Sequence, residues 1–216
     1  RMPVGGLNVF NSAGHYYVLE GARKLFENSS SFMRRVKRGA LRGEVGHPQQ
    51  LPGQSLDDFA NRILTIVEAN VCVHFSDIYL DFDNFKDQTG KPIVGIMADL
   101  APSGPKGDAL ARSLANPKEN VCFSIRSFTE DRNISGIRHR KLDTIVTFDY
   151  VNEPGIAHAE KFKAPGLESL VEKTFTRTQM ERATAPERPT LTLGMESRAI
   201  SREELFESFG WKQHST

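Results

Sequence analysis

The sequence predicts an α+β domain built on a mainly antiparallel β-sheet or barrel. Along the 216 residues, segments in which apolar and polar side chains alternate outnumber segments with helical spacing. The chain has no glycine-rich dinucleotide motif, no phosphate-binding loop and no internal repeat. These observations favour a mixed order of strands and helices within one domain.

Within the first 120 residues, three stretches have helical patterns. In HYYVLEGARKLFE, residues 15–27, apolar side chains recur at roughly helical spacing. Ser55 is a candidate N-cap for a second helix with an apolar face. The stretch KGDALARSLANP, residues 106–117, predicts a brief helix that Asp108 caps and that Pro117 ends.

Strands are predicted where apolar and polar residues alternate or where a short apolar run is bounded by turns. Four such segments are VCVHFSDIYLDF at 71–82, IVGIMADL at 93–100, ENVCFSIRSF at 119–128 and LDTIVTFDYV at 142–151. The polar residues 129–141 are interpreted as a connection between the last two strands. The stretch FMRRVKRGALRGEV, residues 32–45, is interpreted as a charged strand edge that faces solvent.

The composition changes after residue 175. Residues 1–175 carry the regular patterns and are predicted to form one domain. Residues 176–200 are rich in Thr, Arg, Glu and Pro, which predicts a flexible linker. In residues 201–216, Ser201 and Glu204 have the spacing of a capping box and predict a short terminal helix.

Charge and cysteine content limit the classes of partner and compartment. Lys and Arg total 28 against 27 for Asp and Glu, so a net charge of +1 creates no overall attraction to nucleic acid or an anionic membrane. No apolar run approaches about 18 residues, and we expect neither a membrane span nor a signal peptide. Cys72 and Cys122 lie in apolar stretches without a CxxC motif, which indicates reduced core thiols and a cytosolic protein.

His47 is the histidine that the sequence singles out. Gly43, Gly46 and Pro48 indicate a backbone that turns tightly at the end of a strand, so the His47 side chain is expected to be held. The alternative is a histidine in an ordinary surface turn. No two histidines have HExxH or HxH spacing, so no metal site is predicted.

Ser124 and Arg126 place a hydroxyl and a guanidinium on one face of the strand 119–128. Ser127 faces the opposite side in regular strand geometry. Acyl transfer needs a nucleophile, a base and often an acid that orients the base, and Ser124 is the candidate nucleophile. Asp149 is the acid inside the apolar run of the last strand, where an unpaired charge is costly, so we expect it to have a partner.

Three segments, LRGEVGHP, FSIRS and TFDYVNEP, together resemble the prohead, or capsid maturation, proteases of tailed phages. These enzymes are distantly related to the herpesvirus assemblins. The resemblance spans about residues 16–156 and implies that His47 is the general base, Ser124 the nucleophile and Asp149 the third member of a triad. Arg126 would support the oxyanion through its backbone or its side chain.

The resemblance also implies a compact β-barrel wrapped by helices and a serine endopeptidase without a cofactor. Its substrates would be capsid and scaffold or core proteins, cut after glutamate inside assembling proheads in the host cell cytoplasm. The chain departs from the family pattern at Val45, where Leu is usual, and at Ser127, where Gly or Ala often follows the arginine. His74 and Asp143 stay open as alternatives to Asp149.

Two other classes of function stay open at this point. One is a non-enzymatic capsid scaffold or assembly protein. The other is a nucleic-acid module built on the basic residues 34–42, although no aromatic ladder accompanies them. The sequence does not decide the oligomeric state and leaves a homo-oligomer open.

Self-cleavage after Glu196 is predicted because the resembled family prefers a small residue two positions before glutamate, and LGMESRAIS supplies Gly194 there and Ser197 beyond the cut. Few large hydrophobic residues and nearby prolines predict an accessible segment, whereas the similar GLESL at 166–170 has helical spacing and is predicted to be protected. Incubated wild-type protein should lose residues 197–216 by intact mass, and Glu196→Gln should not. Equal truncation of both proteins, or of neither, would contradict the prediction.

Overall fold

Two four-stranded sheets organise the part of the chain that the structure describes. The structure, a computed structural model, describes residues 1–152, 155, 156, 159, 161 and 175–184. The strands are β1 (Met2–Leu7), β2 (Val9–Phe10), β3 (Tyr16–Val18), β4 (Arg42–Glu44), β5 (Val71–Asp81), β6 (Val94–Pro102), β7 (Cys122–Ile134) and β8 (Ile137–Val151). The helices are α1 (Ala22–Leu25), α2 (Ser31–Lys37), α3 (Leu56–Leu64), α4 (Gly107–Ala115) and α5 (Arg177–Thr184), with a 3₁₀ turn at Glu68–Asn70.

Antiparallel pairing dominates both sheets. The first sheet has the order β1-β6-β5-β4 and is antiparallel throughout. The second has the order β2-β3-β8-β7, in which β3 and β8 are parallel. The sheets curl together into a half-barrel, and α2 and α4 pack against β5. The predicted α+β class with a mainly antiparallel sheet is confirmed.

The caps of α3 and α4 differ in how well the sequence predicted them. Ser55 caps α3 as predicted, because its hydroxyl accepts the N–H of Asp58 at 3.1 Å. The prediction that Asp108 caps α4 is wrong. Lys106 occupies the N-cap position and Asp108 lies in the first turn, because the chain enters the helix from a turn that the N–H of Gly107 closes.

The helix predicted over residues 15–27 is wrong in its first half. Tyr16–Val18 forms β3, which pairs with β8, and α1 is one short turn at Ala22–Leu25. Tyr and Val suit a strand when a partner strand is available, so tertiary pairing overrides the helical spacing. Gly21, with φ of 79°, separates the two elements.

The charged strand edge predicted over residues 32–45 is also wrong in its first half. Ser31–Lys37 forms α2, and Ser30 caps it by accepting the N–H of Met33 at 3.0 Å. Arg35 donates to two consecutive backbone carbonyls of β8 at 2.9 and 2.8 Å. This member of the basic stretch therefore has a role in the fold.

The polar residues 129–141 belong to a long hairpin rather than to a loose connection. The β7–β8 ladder runs out to the pair Ile134 and Ile137. Ser135 and Gly136, with φ of 52° and 81°, form the turn, as a two-residue hairpin with positive φ at both positions requires. The outer part of β7 is exposed on both faces, so it lacks the alternation that identifies a half-buried strand.

Strand β4 lies unusually close to β8, and this contact joins the two sheets. A Cβ on Gly43 would lie 2.1 Å from the carbonyl oxygen of Phe148, so the approach requires glycine. Thr147 on β8 donates its hydroxyl to the carbonyl of Arg42 at 2.5 Å. The residues that follow β4 are therefore held beside the C-terminal end of β8.

Four phenylalanine rings pack together in the core between the sheets. Phe75 of β5 lies 5.9 Å from Phe123 of β7 and 5.8 Å from Phe148 of β8, measured between ring centroids. Phe32 of α2 contacts Phe148 at 6.3 Å and covers this end of the core. All four rings are buried, and their edge-on contacts hold β5, β7 and β8 in a fixed relation.

Two observations concern the environment of the protein. Both cysteines are free and buried, as predicted. None of the helices in the described ranges combines the length and the hydropathy that a membrane crossing requires.

The C-terminal predictions lie largely outside the described residues. Helix α5 falls within the predicted linker 176–200, so the first part of that segment is helical. The rest of the linker, the predicted cleavage site at Glu196 and Ser197, and the predicted terminal helix 201–216 lie outside the described residues.

Replacing Gly43 by Ala should destabilise the protein, because the added methyl group must displace the backbone of β8 rather than a flexible side chain. Overpacking of this kind costs about 1–3 kcal/mol. Urea unfolding measures the change in free energy. Gly107→Ala is the matched control, since its Cβ would find its nearest atom at 3.4 Å, an ordinary contact. A Gly43→Ala protein as stable as the wild type would contradict the proposed constraint.

Candidate active site

His47 follows β4 on a turn that fixes its backbone. Gly46 has φ of 72°, in the left-handed region that favours glycine. The N–H of Gly46 donates to the carbonyl of Tyr150 at 2.7 Å, and Val45 forms an isolated bridge with Tyr150. His47 is therefore held at the end of a strand, as the sequence predicted, and its ring lies beside β8.

Asp149 on β8 is fully buried and accepts four hydrogen bonds. Its Oδ2 accepts from His47 Nδ1 at 2.8 Å and from Arg126 Nε at 2.8 Å. Its Oδ1 accepts from Arg126 Nη2 at 2.7 Å and from the backbone N–H of Glu44 at 3.0 Å. Each carboxylate oxygen thus has two donors, which is what a buried carboxylate needs in order to stay ionised.

Arg126 links Asp149 to a second buried carboxylate. Arg126 Nη1 donates to Glu44 Oε1 at 3.3 Å and to the carbonyl of Thr65 at 3.1 Å. Arg62 on α3 then forms a two-point contact with Glu44 at 3.1 and 2.5 Å. We call Arg62, Glu44, Arg126, Asp149 and His47 the Asp149 network. From Arg62 to Asp149 the positive and negative groups alternate, so each buried charge has an opposite neighbour.

Ser124 lies on β7 directly opposite Asp149 in the antiparallel ladder. Facing residues in such a ladder have Cα atoms about 4.5–5.5 Å apart and side chains on the same face of the sheet. Ser124 is buried, and within the described residues no hydrogen bond joins its hydroxyl to His47. Hydrogen bonds between catalytic groups are often long before substrate binds, so this geometry is compatible with a nucleophile and a base.

Asp143 and His74, the alternatives to Asp149 as the third member of the triad, lie in different surroundings. Asp143 is exposed and accepts a hydrogen bond from Thr144 at 2.9 Å. His74 lies on β5, where its backbone pairs with Arg42 and Ala101. Among the described residues, the carboxylate in contact with the His47 ring is that of Asp149.

The network shifts the pKa values of its two carboxyl groups downward. Burial raises the pKa of Asp149, but the His47 hydrogen bond and the Arg126 charge outweigh it and hold that pKa below its usual value. Burial likewise raises the pKa of Glu44, whereas the hydrogen bonds of Arg62 and of the Val67 N–H bring it below the usual value. Both groups are therefore ionised at neutral pH.

Cys72 lies near the network but is a poor nucleophile. Its Sγ donates to the carbonyl of Gly43 at 3.8 Å. Burial and the negative charge of Asp149 raise the pKa of Cys72 to about 12. Because the thiolate is the reactive form, this side chain is inert at neutral pH.

The sequence did not identify Glu44 and Arg62 as members of the site. Glu44 stands within the LRGEVGHP segment, and this position three residues before His47 was the signal that could have identified it. Arg62 had no signal, because nothing in a helical pattern shows which buried acid its guanidinium meets. Within the described residues, no group of three or more His, Cys, Asp or Glu is arranged to hold a metal ion.

Comparison with known proteins gives the following matches. The sequence profile of the Peptidase S80 family matches residues 1–205. The chain is 32% identical over 221 residues to the capsid maturation protease of Pseudomonas phage phiKZ, covering 97% of this chain and 78% of that relative. The solved structure of the bacteriophage T4 capsid assembly protease gp21 is similar over 69% of this chain and 78% of that chain, with 20% identity and a TM-score of 0.40. The predicted resemblance to phage capsid maturation proteases is confirmed by the first two matches.

Replacing Glu44 by Gln should lower the free energy of unfolding at pH 7 by about 3–5 kcal/mol, because it leaves buried arginine charge uncompensated. The substitution should also make the free energy of unfolding fall less as the pH is lowered. Because the pKa of Glu44 is lower in the folded protein than its unfolded value of about 4.3, the unfolded state takes up this proton first as the pH falls. The wild type should thus lose stability below about pH 4, and the variant should lose less. Urea unfolding at a series of pH values measures both effects.

Glu68→Gln is the matched control. Glu68 pairs with Arg42 at 2.7 Å, but the two side chains are 70% and 44% exposed. An exposed pair is worth about 0–1 kcal/mol, so this variant should be close to the wild type in stability. Equal losses of unfolding free energy in both variants would show that burial of the Asp149 network contributes nothing to stability.

Proposed function

Because the chain belongs to the Peptidase S80 family and is therefore a peptidase, we propose that it is a serine endopeptidase of phage capsid maturation. In this proposal Ser124 is the nucleophile, His47 the general base and Asp149 the group that orients His47. The observation that carries the proposal is the 2.8 Å contact between His47 Nδ1 and a buried Asp149 that lies opposite Ser124.

The hydrogen bond to Asp149 assigns different roles to the two nitrogens of His47. An ionised carboxylate accepts hydrogen bonds only, so the proton of the neutral ring resides on Nδ1. Nε2 then carries the lone pair and is free to act as a base. This tautomer is the one that accepts a proton from a serine hydroxyl.

Peptide cleavage would follow in two stages. Ser124 Oγ attacks the carbonyl carbon of the substrate, its proton passes to His47 Nε2, and the C=O electron pair moves onto the oxygen. His47 then donates that proton to the leaving nitrogen, and the C–N bond breaks to leave an acyl-serine. Water then attacks the ester carbon with His47 again as base, the bond from that carbon to Ser124 Oγ breaks, and Ser124 recovers its proton as the carboxylic acid product leaves. Asp149 stabilises the imidazolium that forms in each stage.

We assign Arg126 to the support of Asp149 rather than to direct contact with an oxyanion. Its guanidinium donates to both oxygens of Asp149, to Glu44 and to the carbonyls of Ile63 and Thr65. A guanidinium with these contacts is not free to turn toward a substrate. Its role is then to keep Asp149 ionised and correctly oriented.

The substrate class follows from the resemblance and from the relatives. The phiKZ relative is a capsid maturation protease, which favours capsid and scaffold or core proteins as substrates inside assembling proheads in the host cell. Cleavage after glutamate and self-cleavage after Glu196 are parts of the proposal that rest on the resemblance, and a homo-oligomer stays open. A non-enzymatic scaffold role is the alternative that the following experiment tests.

Ser124→Ala and His47→Ala should each reduce kcat on a glutamate-containing peptide at least about ten-thousand-fold, because removal of one member disables the whole group. Asp149→Asn should retain more activity than Ser124→Ala, since Asp149 orients the base without exchanging atoms with the substrate. Kinetic assays with folded, purified variants measure these effects.

Ser127→Ala is the matched control, because Ser127 lies on the same strand three residues away. It should retain wild-type kcat. Full activity of Ser124→Ala, or an equal loss in Ser127→Ala, would refute the assignment of the nucleophile. Absence of cleavage by the wild type under all conditions would favour the scaffold alternative.

A further inference from the structure

A small cavity beside Ser124 is lined by a side chain that the proposed triad does not use. Asn11, in the loop between β2 and β3, and Ser124 line the same cavity, together with Gly155 and Ile156. The cavity has a volume of about 20 Å³, which is enough for one water-sized group. Asn11 itself is 6% exposed.

The amide of Asn11 has a defined orientation. Its Oδ1 accepts the backbone N–H of His15 at 2.8 Å, so the oxygen and nitrogen ends of the amide are distinguishable by their partners. Nδ2 is therefore the other end. It is buried and has no hydrogen-bond partner among the described residues.

The loop that carries Asn11 is fixed by backbone hydrogen bonds. The N–H of Asn11 donates to the carbonyl of His15 at 2.9 Å, and the N–H of Gly14 donates to the carbonyl of Asn11 at 3.0 Å. The N–H of Ser12 donates to the carbonyl of Gly155 at 2.9 Å, which ties the loop to the cavity wall after β8. Asn11 is thus held in place before any ligand binds.

A buried donor without a partner is unfavourable, so a ligand that accepts a hydrogen bond would bind there favourably. The acceptor must be small enough for the cavity. A carbonyl oxygen of a substrate bound at Ser124 has this size and chemistry.

We propose that Asn11 Nδ2 donates a hydrogen bond to the carbonyl oxygen of the peptide bond that Ser124 attacks. This inference rests on the proposed function. When the Oγ–C bond forms and the proton of Ser124 passes to His47, the C=O electron pair moves to that oxygen. Nδ2–H then stabilises the negative charge, and Asn11 is a catalytic residue because it touches a reacting atom.

Asn11→Asp is the sharpest test, because it keeps an oxygen for the N–H of His15 and replaces the free donor by a second oxygen. Loss of one such donor reduces kcat by about 100-fold to 1,000-fold, and KM should change little. The affinity for a peptide aldehyde that ends in the aldehyde of glutamate should fall by a similar factor, because its adduct with Ser124 has the same oxygen. Affinity for the corresponding peptide acid serves as the reference for ordinary binding.

Asn8→Asp is the matched control. Asn8 Oδ1 accepts the N–H of Leu19 at 3.0 Å, so the substitution also keeps a loop hydrogen bond, but Asn8 does not line the cavity. It should retain wild-type kcat. Asn11→Ala removes the donor without adding a carboxyl group. Its kcat should fall to a similar extent, and thermal unfolding checks that the variant is folded.

Wild-type kcat in Asn11→Asp or Asn11→Ala would overturn the inference. So would lower thermal stability with unchanged kcat, which would indicate that Nδ2 binds only a structural water. Ser124-dependent cleavage by the wild type separates these failures from failure of the proposed function. If the wild type shows no such cleavage, the proposed function and this inference both fall.

Discussion

The buried carboxylate of Asp149 is the group on which the arrangement of the site depends. A charge without exposure to water is stable only when donors and opposite charges surround it. The donors come from three different parts of the chain: Glu44 at the end of β4, His47 in the following turn, and Arg126 on β7. Folding must therefore bring these parts together, and the same requirement orients the His47 ring.

The joint between the sheets makes this convergence possible. Gly43 allows β4 to approach β8 more closely than any side chain would permit, and the Gly46 turn then directs the chain across the end of β8. Helix α3 is tied to the same site through Arg62. Its Phe59 also packs against Phe175, at 6.0 Å between ring centroids, so the described segment before α5 contacts the helix that carries Arg62.

The sequence predicted the parts of this structure that leave a local signal. Alternation identified the inner part of β7, and a serine before an amphipathic run identified the start of α3. The signal failed for β3, where pairing with β8 overrides helical spacing, and for the outer hairpin, where both faces of β7 are exposed. Strand edges and exposed ladders are determined by partners that are distant in sequence, so local patterns do not reveal them.

The sequence predicted the site to about the same extent as it predicted the fold. His47 and Asp149 were expected from a rigid turn and from an acid within an apolar run, and the structure brings them into contact. Arg62 and Asn11 were not expected, because their significance depends on what lies opposite them in space. A buried donor without a partner is visible only after the chain is folded.

The central claim is that the Asp149 network directs His47 toward Ser124 and activates that hydroxyl. Covalent labelling with a peptide phosphonate that carries glutamate at its reactive end, followed by peptide mapping, tests this claim most directly. The account predicts one adduct, on Ser124, in wild-type protein and none in folded His47→Ala. A wild-type protein without an adduct, or with its adduct on Ser127, would contradict it.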